Sequence, residues 1–455
     1  MKTVITNGII ITMNRDMDMY PEGYVVLEDS RISEVGPMEA LEHRMTGWGG
    51  SRQEGISIID AEHGIVMPGM VNTHCHMGMI PFRGLGDDCK DRLRVFLLPM
   101  ESRAMDRELA GLSSRYAGGE LLLSGVTTVM DMYYFEDAVA EVMDQMGIRG
   151  IAGETVMEEA SCDARTPREA IMLGQELIKR YRNHPRIKGC IAPHGTTTCG
   201  SSTLQEIHEV NHKYGVPFTL HVAEMDYEMT YLKEQYGCTP IEYLDRLGVL
   251  DPLTVCAHSI RVSQQDISLM GSAGSGAAHC IGSNTKAAKG VAPVSSMLDQ
   301  GIAVGLGTDG PASGNTLDLF TQMRFCANFH KNELKDKSAF PAKDIVSMAT
   351  IWGANALGLG EVTGSLEPGK AADITVVETD SPNMFPVYDP YAALVYSARA
   401  DNVRDVYVAG SCLVRDKRPV LCNMGEIREE LRQKMNRTPF GEIIHHRKQS
   451  PRPQY

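Results

Sequence analysis

Short apolar runs alternate with longer amphipathic stretches through the middle of the chain, from residue 64 to about 360. Stretches such as EAIMLGQELIKRYRN and TPIEYLDRLGVL repeat apolar residues at three- and four-residue spacing, which predicts helices. The apolar runs between helices predict eight strands: MVNTH, VTTVMDM, RGIAGE, KGCIAPH, PFTLHVAE, TVCAHS, GAAHC and AVGLGTD. Strands that alternate with helices predict parallel pairing. Eight in succession favour closure into a TIM (β/α)8 barrel over an open sheet.

Both ends of the chain show a different pattern, in which short β-type segments are separated by turn residues. Asn7-Gly8 and Asp29-Ser30 stand where hairpin turns favour residues that tolerate positive φ. We therefore predict an α/β protein with a small β-sandwich-like domain built from residues 1–63 and 361–423. The barrel, residues 64–360, is inserted between these two pieces. The sequence also predicts a loop over residues 44–56, and a charged surface helix with a tail over residues 424–455.

Composition and charge narrow the class of protein. The formal net charge is −14 over 455 residues and no basic stripe is visible, which argues against a nucleic-acid partner. No apolar run is long enough for a membrane span, and the start of the chain is typical of a strand and turn rather than a signal peptide. Eleven cysteines without a C-x-x-C pair indicate reduced thiols. We expect a cytoplasmic homo-oligomer, a dimer or a tetramer, that acts on a small molecule.

Histidines and carboxylates stand at the ends of several predicted strands. They are His74 and His76 on the first strand, His221 on the fifth with Glu224 after it, His258 on the sixth and Asp309 on the eighth. The carboxyl ends of the strands are where a TIM barrel keeps its chemistry. Taken alone, a strand-end histidine such as His258 is as compatible with a structural role as with a functional one. Six such groups at one rim favour a metal-dependent active site.

Three imidazoles and a carboxylate predict one divalent metal ion, held by His74, His76, His221 and Asp309. Zn²⁺ suits this set best, and Fe²⁺ is also compatible. Such an ion makes a bound water acidic, which favours hydrolysis. Glu224 is then placed to carry a proton, while Asp309 orients the attacking oxygen and His258 forms a hydrogen bond with the water or with the oxyanion-like intermediate.

Four segments carry a resemblance to a known family: GIVMPGMVNTHCHM, TLHVAEMDYEMTYLKEQYGCTPIEYLDRLGVL, AHCIGSNTKAAKGVAPVSSMLDQG and GLGTDGPASGNTLDLF. They resemble the amidohydrolase superfamily, most of all its methylthioadenosine/S-adenosylhomocysteine deaminase and chlorohydrolase branch. The likeness covers nearly the whole chain and implies the same ligands and catalytic groups. Members with two metals carry a carboxylated lysine at the end of the fourth strand. Here that strand ends in His194 and Lys188 lies at its opposite end, which favours one metal.

The resemblance implies hydrolytic deamination of a purine nucleoside of the adenosine or methylthioadenosine type. It places Glu101 on the ribose hydroxyls, His194 against the nucleoside and Arg165 at the substrate tail. Glu101 is equally the kind of residue that serves as a solvated helix charge. Glu154 stands where the family's nucleoside deaminases have an arginine. Because an acid there disfavours an anionic tail, we expect compact or neutral substrates to react better than S-adenosylhomocysteine.

Other activities are compatible with the same residues. An s-triazine chlorohydrolase or deaminase belongs to the same branch, and guanine, pterin or cytosine rings are further candidates. A non-enzymatic protein that kept the metal for binding or assembly is a third class. Retention of both Glu224 and Asp309 favours the deaminase, because the complete proton-transfer set is preserved.

Overall fold

The predicted alternation of strands and helices is present throughout the middle of the chain. The structure is a computed structural model that describes residues 2–41, 55–90 and 92–443. Most of the predicted loop, residues 44–54, and the tail from residue 444 lie outside the described residues.

All eight strands predicted between the chain ends are formed. They are β6 (Met70–Cys75), β7 (Val126–Tyr133), β8 (Arg149–Val156), β9 (Ile187–Pro193), β10 (Phe218–Val222), β11 (Thr254–His258), β12 (Gly276–His279) and β13 (Val304–Leu306). Each pairs in parallel with the next in two four-stranded sheets, β6–β9 and β10–β13. At one junction the N–H of His221 donates to the carbonyl of His194, and at the other the N–H of Asp309 donates to the carbonyl of His74. The two sheets therefore meet at both pairs of outer strands.

Helices lie between these strands and after the last of them. They are α1 (Leu98–Ala104), α2 (Arg107–Leu123), α3 (Glu136–Met146), α4 (Pro167–Tyr181), α5 (Ser201–Tyr214), α6 (Asp226–Tyr236), α7 (Pro240–Leu247), α8 (Gln264–Ala273), α9 (Ile281–Lys286), α10 (Val294–Asp299), α11 (Leu319–Leu334), α12 (Ala342–Met348), α13 (Ile351–Ala356), α14 (Pro390–Ala392) and α15 (Met424–Met435). Local sequence sets their limits. At α7, the Thr239 hydroxyl accepts from the Glu242 N–H and the Glu242 carboxylate accepts from the Thr239 N–H, while Gly248 ends the helix at φ 70°.

A nine-stranded sheet contains segments from both chain ends. Its strands are β1 (Lys2–Ile11), β2 (Met19–Glu28), β3 (Arg31–Pro37), β4 (Ile56–Asp60), β5 (Ile65–Pro68), β14 (Ile374–Val377), β15 (Val403–Val408), β16 (Ser411–Arg415) and β17 (Arg418–Pro419). Strand β5 pairs with β1 on one side and β14 on the other. Strand β5, which begins at Ile65, therefore belongs to this composite sheet. Its four residues are all buried, so its pattern resembles that of the parallel strands.

The two predicted hairpin turns have different outcomes. Asp29, at φ 51°, begins the tight turn from β2 to β3, as predicted. The hairpin at Asn7-Gly8 is wrong, because β1 continues through both residues with a shift of register against β2. Asn7 has φ 56° within this irregularity. A bulge and a turn need the same backbone conformation, so the two residues alone could not separate them.

The predicted C-terminal helix is α15. Its apolar residues Ile427 and Leu431 are buried, and Lys434 pairs with Asp106 and Glu108 at 2.7 and 2.6 Å. None of the helices in the described part of the chain combines the length and the apolar character that crossing a bilayer requires.

A buried ion pair joins the composite sheet to the parallel strands. The guanidinium of Arg149, at the start of β8, donates to both carboxylate oxygens of Asp373 at 2.7 and 3.2 Å. Asp373 precedes β14 and also accepts the N–H of Ala409 at 2.7 Å. Both side chains are almost fully buried, so the pair fixes the position of one sheet against the other.

Candidate active site

The four predicted metal ligands converge at the carboxyl ends of β6, β10 and β13. His74, His76 and His221 each offer a nitrogen, and these atoms lie within 4.8 Å of one another. The Nε2 atoms of His76 and His221 are 3.4 Å apart, and Oδ1 of Asp309 is 3.1 Å from Nε2 of His76. Three strands that are distant in the sequence therefore bring these four groups together.

The hydrogen bonds of the histidines fit a metal ion. Both ring nitrogens of His74 are buried without a hydrogen-bond partner, which is costly unless something else binds them. Nδ1 of His76 donates to the carbonyl of Met132, and Nδ1 of His221 donates to that of His194. These bonds leave each Nε2 lone pair facing the cluster, the arrangement found around bound metals. Burial lowers the pKa of His74 and His221, which favours the neutral, metal-binding form.

Asp309 is held in a defined position. Its Oδ2 accepts from the Ser283 hydroxyl at 2.6 Å and its Oδ1 from the N–H of Gly310 at 2.7 Å. Its backbone has φ 59°, and His258 has φ 70°. Left-handed conformations are uncommon for such residues and collect at functional sites, so both strand ends carry local strain where the ligands meet.

A cavity of about 440 Å³ opens beside these residues. Its lining includes His76, Glu101, His194, His221, Glu224, His258, Lys289 and Asp309. Oε1 of Glu224 lies 3.6 Å from Nε2 of His258, and Nδ1 of His258 is 2.9 Å from Oδ1 of Asn284. Because the Asn284 oxygen accepts the Nδ1 proton, Nε2 of His258 is left to form a hydrogen bond toward the cavity.

His258 and Lys289 both favour the ionised form of Glu224. The ammonium of Lys289 donates to Oε1 of Glu224. Burial alone would raise the pKa of Glu224, but His258 and Lys289 outweigh it and lower that pKa to about 2. The Glu224 carboxylate is therefore ionised at neutral pH, the form required of a general base.

Glu228 fixes the turn that carries Glu224. Its carboxylate accepts the N–H groups of Ala223 and Glu224 at 3.0 and 2.9 Å, and the hydroxyl of Thr196 at 2.6 Å. These bonds bind the segment after β10 to the loop after β9, so the position of Glu224 depends on two neighbouring strands.

Glu101 and His194, the predicted substrate-binding residues, both line the cavity. The Tyr133 hydroxyl donates to Oε1 of Glu101 at 2.6 Å, while burial raises the pKa of Glu101 to about 7. The His194 ring packs 4.9 Å from that of His221, and its Nδ1 is 3.0 Å from the Thr198 hydroxyl. Glu101 is thus a buried polar group at the cavity rather than a solvated helix charge.

Glu154 and Arg165 do not line the cavity. On β8 it is Thr155 that faces the cavity, and successive strand residues point to opposite sides. The Glu154 carboxylate accepts the N–H of Glu136 at the start of α3 instead. Arg165 is exposed before α4, where its N–H donates to Glu169. The charge argument against an anionic substrate tail therefore loses the group on which it rested.

Three cavity or support residues were missed from the sequence: Ser283, Asn284 and Lys289. They follow β12, in α9 and the loop after it. The available signal was a polar run, SNTKAAK, directly after a predicted strand end, where a parallel sheet places functional groups.

The sequence matches a known protein family over most of its length. The model of the amidohydrolase family matches residues 65–413. A 5-methylthioadenosine/S-adenosylhomocysteine deaminase of Syntrophobacter fumaroxidans is 34% identical over 433 residues, covering 94% of this chain and 96% of the relative. The chain belongs to the amidohydrolase family. Among solved structures of similar proteins, an adenosine deaminase from Xanthomonas campestris with bound zinc has a TM-score of 0.91 at 27% identity, covering 96% of this chain and 98% of its own.

Other amidohydrolases extend the comparison. A 5'-deoxyadenosine deaminase of Methanosarcina barkeri is 33% identical over 436 residues, covering 94% of this chain and 96% of the relative. A triazine hydrolase from Arthrobacter aurescens has a TM-score of 0.86 at 24% identity, covering 95% and 99%, which is a likeness of fold alone. The predicted resemblance and the prediction of a hydrolase acting on C–N bonds are confirmed by the family and these relatives.

Proposed function

We propose that this amidohydrolase deaminates the adenine ring of a purine nucleoside of the adenosine or methylthioadenosine type and releases ammonia. The observation that carries the proposal is the position of Glu224, beside His258 at the edge of the cluster formed by His74, His76, His221 and Asp309. Relatives at 33–34% identity are named as deaminases of such nucleosides. The donor set of three imidazoles and a carboxylate favours a single Zn²⁺ ion, with Fe²⁺ as the alternative.

The chain's own groups supply the proton transfers. When bound, the metal would supply Lewis-acid activation of water. Oε1 of Glu224 accepts a proton from the attacking water and delivers it to the ring nitrogen beside the reacting carbon. The water oxygen forms a bond to that carbon, and the bond to the exocyclic amine then breaks. Glu224 takes the second proton from the hydroxyl that is now on the carbon and carries it to the departing nitrogen, so that a carbonyl forms at the carbon and the nitrogen leaves as ammonia.

Three further residues support this transfer: His258, Asp309 and Lys289. His258 orients the attacking oxygen through Nε2, because Asn284 fixes its ring. Asp309 accepts a hydrogen bond from that oxygen while Ser283 restrains the carboxylate. Lys289 forms an ion pair with Glu224 and so helps to keep its carboxylate ionised before the reaction.

Other residues that line the cavity favour a compact nucleoside. Glu101, held by Tyr133, is the candidate partner of the ribose hydroxyls. Apolar side chains of Met79, Leu97 and Tyr134 also line the cavity and belong to one hydrophobic cluster with Tyr133. An apolar wall suits a deoxy or methylthio substituent better than a zwitterionic homocysteine tail, whose charges lose hydration there. We therefore expect compact substrates to react better than S-adenosylhomocysteine. The reason is the apolar lining rather than the charge of Glu154.

We infer that the two parallel sheets close into one (β/α)8 barrel, supported by the hydrogen bonds at both junctions. The composite sheet forms a sandwich-like layer, because alternate residues of β1 and β2 are buried in clusters on both faces, with Val4 and Val26 on one and Ile5 and Val25 on the other. Eleven free cysteines suit a reducing, cytoplasmic compartment. Assembly as a homo-oligomer, a dimer or a tetramer, is also proposed.

Ammonia release from a panel of ring compounds tests the activity. The panel contains adenosine, 5'-deoxyadenosine, methylthioadenosine, S-adenosylhomocysteine, guanine, cytosine, a pterin and an amino-triazine. We expect the highest kcat/KM for a compact adenine nucleoside. Turnover of only the free bases or the triazine would contradict the nucleoside assignment. Release from none of them by metal-loaded protein would contradict the deaminase.

A further inference from the structure

A second cluster of metal-binding side chains lies on α5, on another part of the molecule. The sequence His208-Glu209-Val210-Asn211-His212 places two histidines four residues apart. On an α-helix this spacing brings both imidazoles to one face, the arrangement by which His-Glu-X-X-His helices chelate zinc. Asp251, in the loop before β11, provides a carboxylate to the same point.

The three ligand atoms already meet. Oδ2 of Asp251 is 3.0 Å from Nε2 of His208 and 3.1 Å from Nδ1 of His212. Metal–ligand bonds of about 2.0–2.1 Å in a tetrahedral zinc site separate neighbouring ligand atoms by about 3.3 Å. Small adjustments of the side chains would therefore admit an ion.

The surroundings hold two of these side chains in place. Oδ1 of Asp251 accepts the N–H of Leu253 at 2.8 Å and lies 3.2 Å from the hydroxyl of Thr254, which leaves Oδ2 for the histidines. The His208 ring packs edge-on against the buried Phe218 ring, with centroids 5.4 Å apart. Restrained ligands lose little side-chain entropy on binding.

The cluster is also accessible. The side chain of His212 is 67% exposed, so an ion and the water that completes its coordination can enter from solvent. We propose that His208, His212 and Asp251 form a second site for a divalent transition-metal ion, with Zn²⁺ the best match to two imidazoles and a carboxylate. The ion links α5 to the loop before β11. The site does not depend on the proposed deaminase activity.

Zinc stoichiometry tests the site directly. Full-length protein is dialysed against a series of free Zn²⁺ concentrations, and bound zinc is measured by mass spectrometry, with turnover recorded on the same samples. We expect the wild type to bind two ions. His212→Gln should weaken binding of the second ion by about tenfold or more, because one of three ligands is lost. Turnover should be unchanged, since the substitution does not touch the cavity.

Two further variants make the result specific. Asp251→Asn keeps an oxygen for the N–H of Leu253 but weakens the site, so it should match His212→Gln. His63→Asn removes an exposed imidazole from another surface, at φ 59°, and should still bind two ions. One ion bound by the wild type would overturn the proposal. Equal second-site affinity in wild type and His212→Gln would do the same, because the extra zinc would then lie elsewhere.

Discussion

At the scale of single residues, the central question is whether Glu224 moves protons or binds metal. Replacing Glu224 by Gln removes the basic oxygen and keeps the shape of the side chain. We expect turnover to fall by roughly 10²-fold or more, the usual scale for a positioned acid–base group. Metal content, measured on the same preparation, should be unchanged. Loss of the metal together with the activity would make Glu224 a ligand instead.

Lys289 leads to a prediction about pH. The pKa of Glu224 is lowered, so this base stays ionised as pH falls, and the ammonium of Lys289 contributes to that effect. Replacing Lys289 by Met should raise the pKa of Glu224. The acid limb of kcat/KM should then move to higher pH, because the carboxylate becomes protonated earlier.

Lys286→Met is the matched control for this experiment. Lys286 also reaches the cavity, but its ammonium pairs with Asp87 at 2.9 Å rather than with Glu224. Its pH profile should keep the wild-type acid limb. An unshifted limb in Lys289→Met would mean that the ammonium does not set the charge of Glu224.

Glu101 is the residue on which nucleoside recognition depends in the proposal. Replacing Glu101 by Ala should lower kcat/KM for adenosine about 10- to 100-fold, since a hydrogen bond to a charged group contributes about 1.5–3 kcal/mol. Any deamination of free adenine should change little, because that substrate has no ribose. Equal losses for adenosine and adenine, measured by ammonia release, would assign Glu101 a general structural role.

The site residues that could be predicted from the sequence differ in a physical way from those that could not. His221 and Asp309 end apolar strands, so their positions follow from strand direction alone. Whether Glu154 or Thr155 faces the cavity depends on which side of β8 faces inward, and both are buried. Lys289 reaches Glu224 across 65 residues of sequence from a loop. Local periodicity does not show which side of a strand faces the cavity when both sides are buried. It does not show the path of a loop either.

At the scale of elements, the Arg149–Asp373 pair connects β8 with the segment before β14. Replacing Asp373 by Ala leaves a buried guanidinium without its partner, which costs about 3–5 kcal/mol in the free energy of unfolding. Replacing Asp137 by Ala removes an exposed pair with Arg107 and should cost under about 1 kcal/mol. Urea unfolding curves for both variants test the comparison. Similar losses would show that Asp373 does not join the elements as described.

Whether a segment forms a strand was easier to predict than the sheet to which that strand belongs. The eight parallel strands were found because each is a short apolar run bounded by amphipathic helices. Strand β5 has the same apolar character but pairs with β1 and β14. Its membership in the composite sheet is set by partners far along the chain, which a local pattern does not contain.

At the scale of the whole molecule, one metal ion should control activity. Chelation should abolish turnover, and it should lower the melting temperature because an ion that binds only the folded state stabilises it. One equivalent of Zn²⁺ should restore turnover, in the wild type and in His212→Gln alike. A requirement for two equivalents in His212→Gln would contradict a mononuclear active site.

The position of β5 has a consequence for how the protein is made. Its two neighbours in the sheet are synthesised far apart: β1 precedes it, and β14 follows roughly 300 residues later. At about 5–20 residues per second, the ribosome needs on the order of 15–60 s to supply that neighbour. During this interval one edge of β5 stays unpaired on the nascent chain while the segments between are being produced. Newly made chains therefore remain open to wrong strand pairing until β14 has been synthesised, and chaperones that cover such edges would act on this protein during that interval.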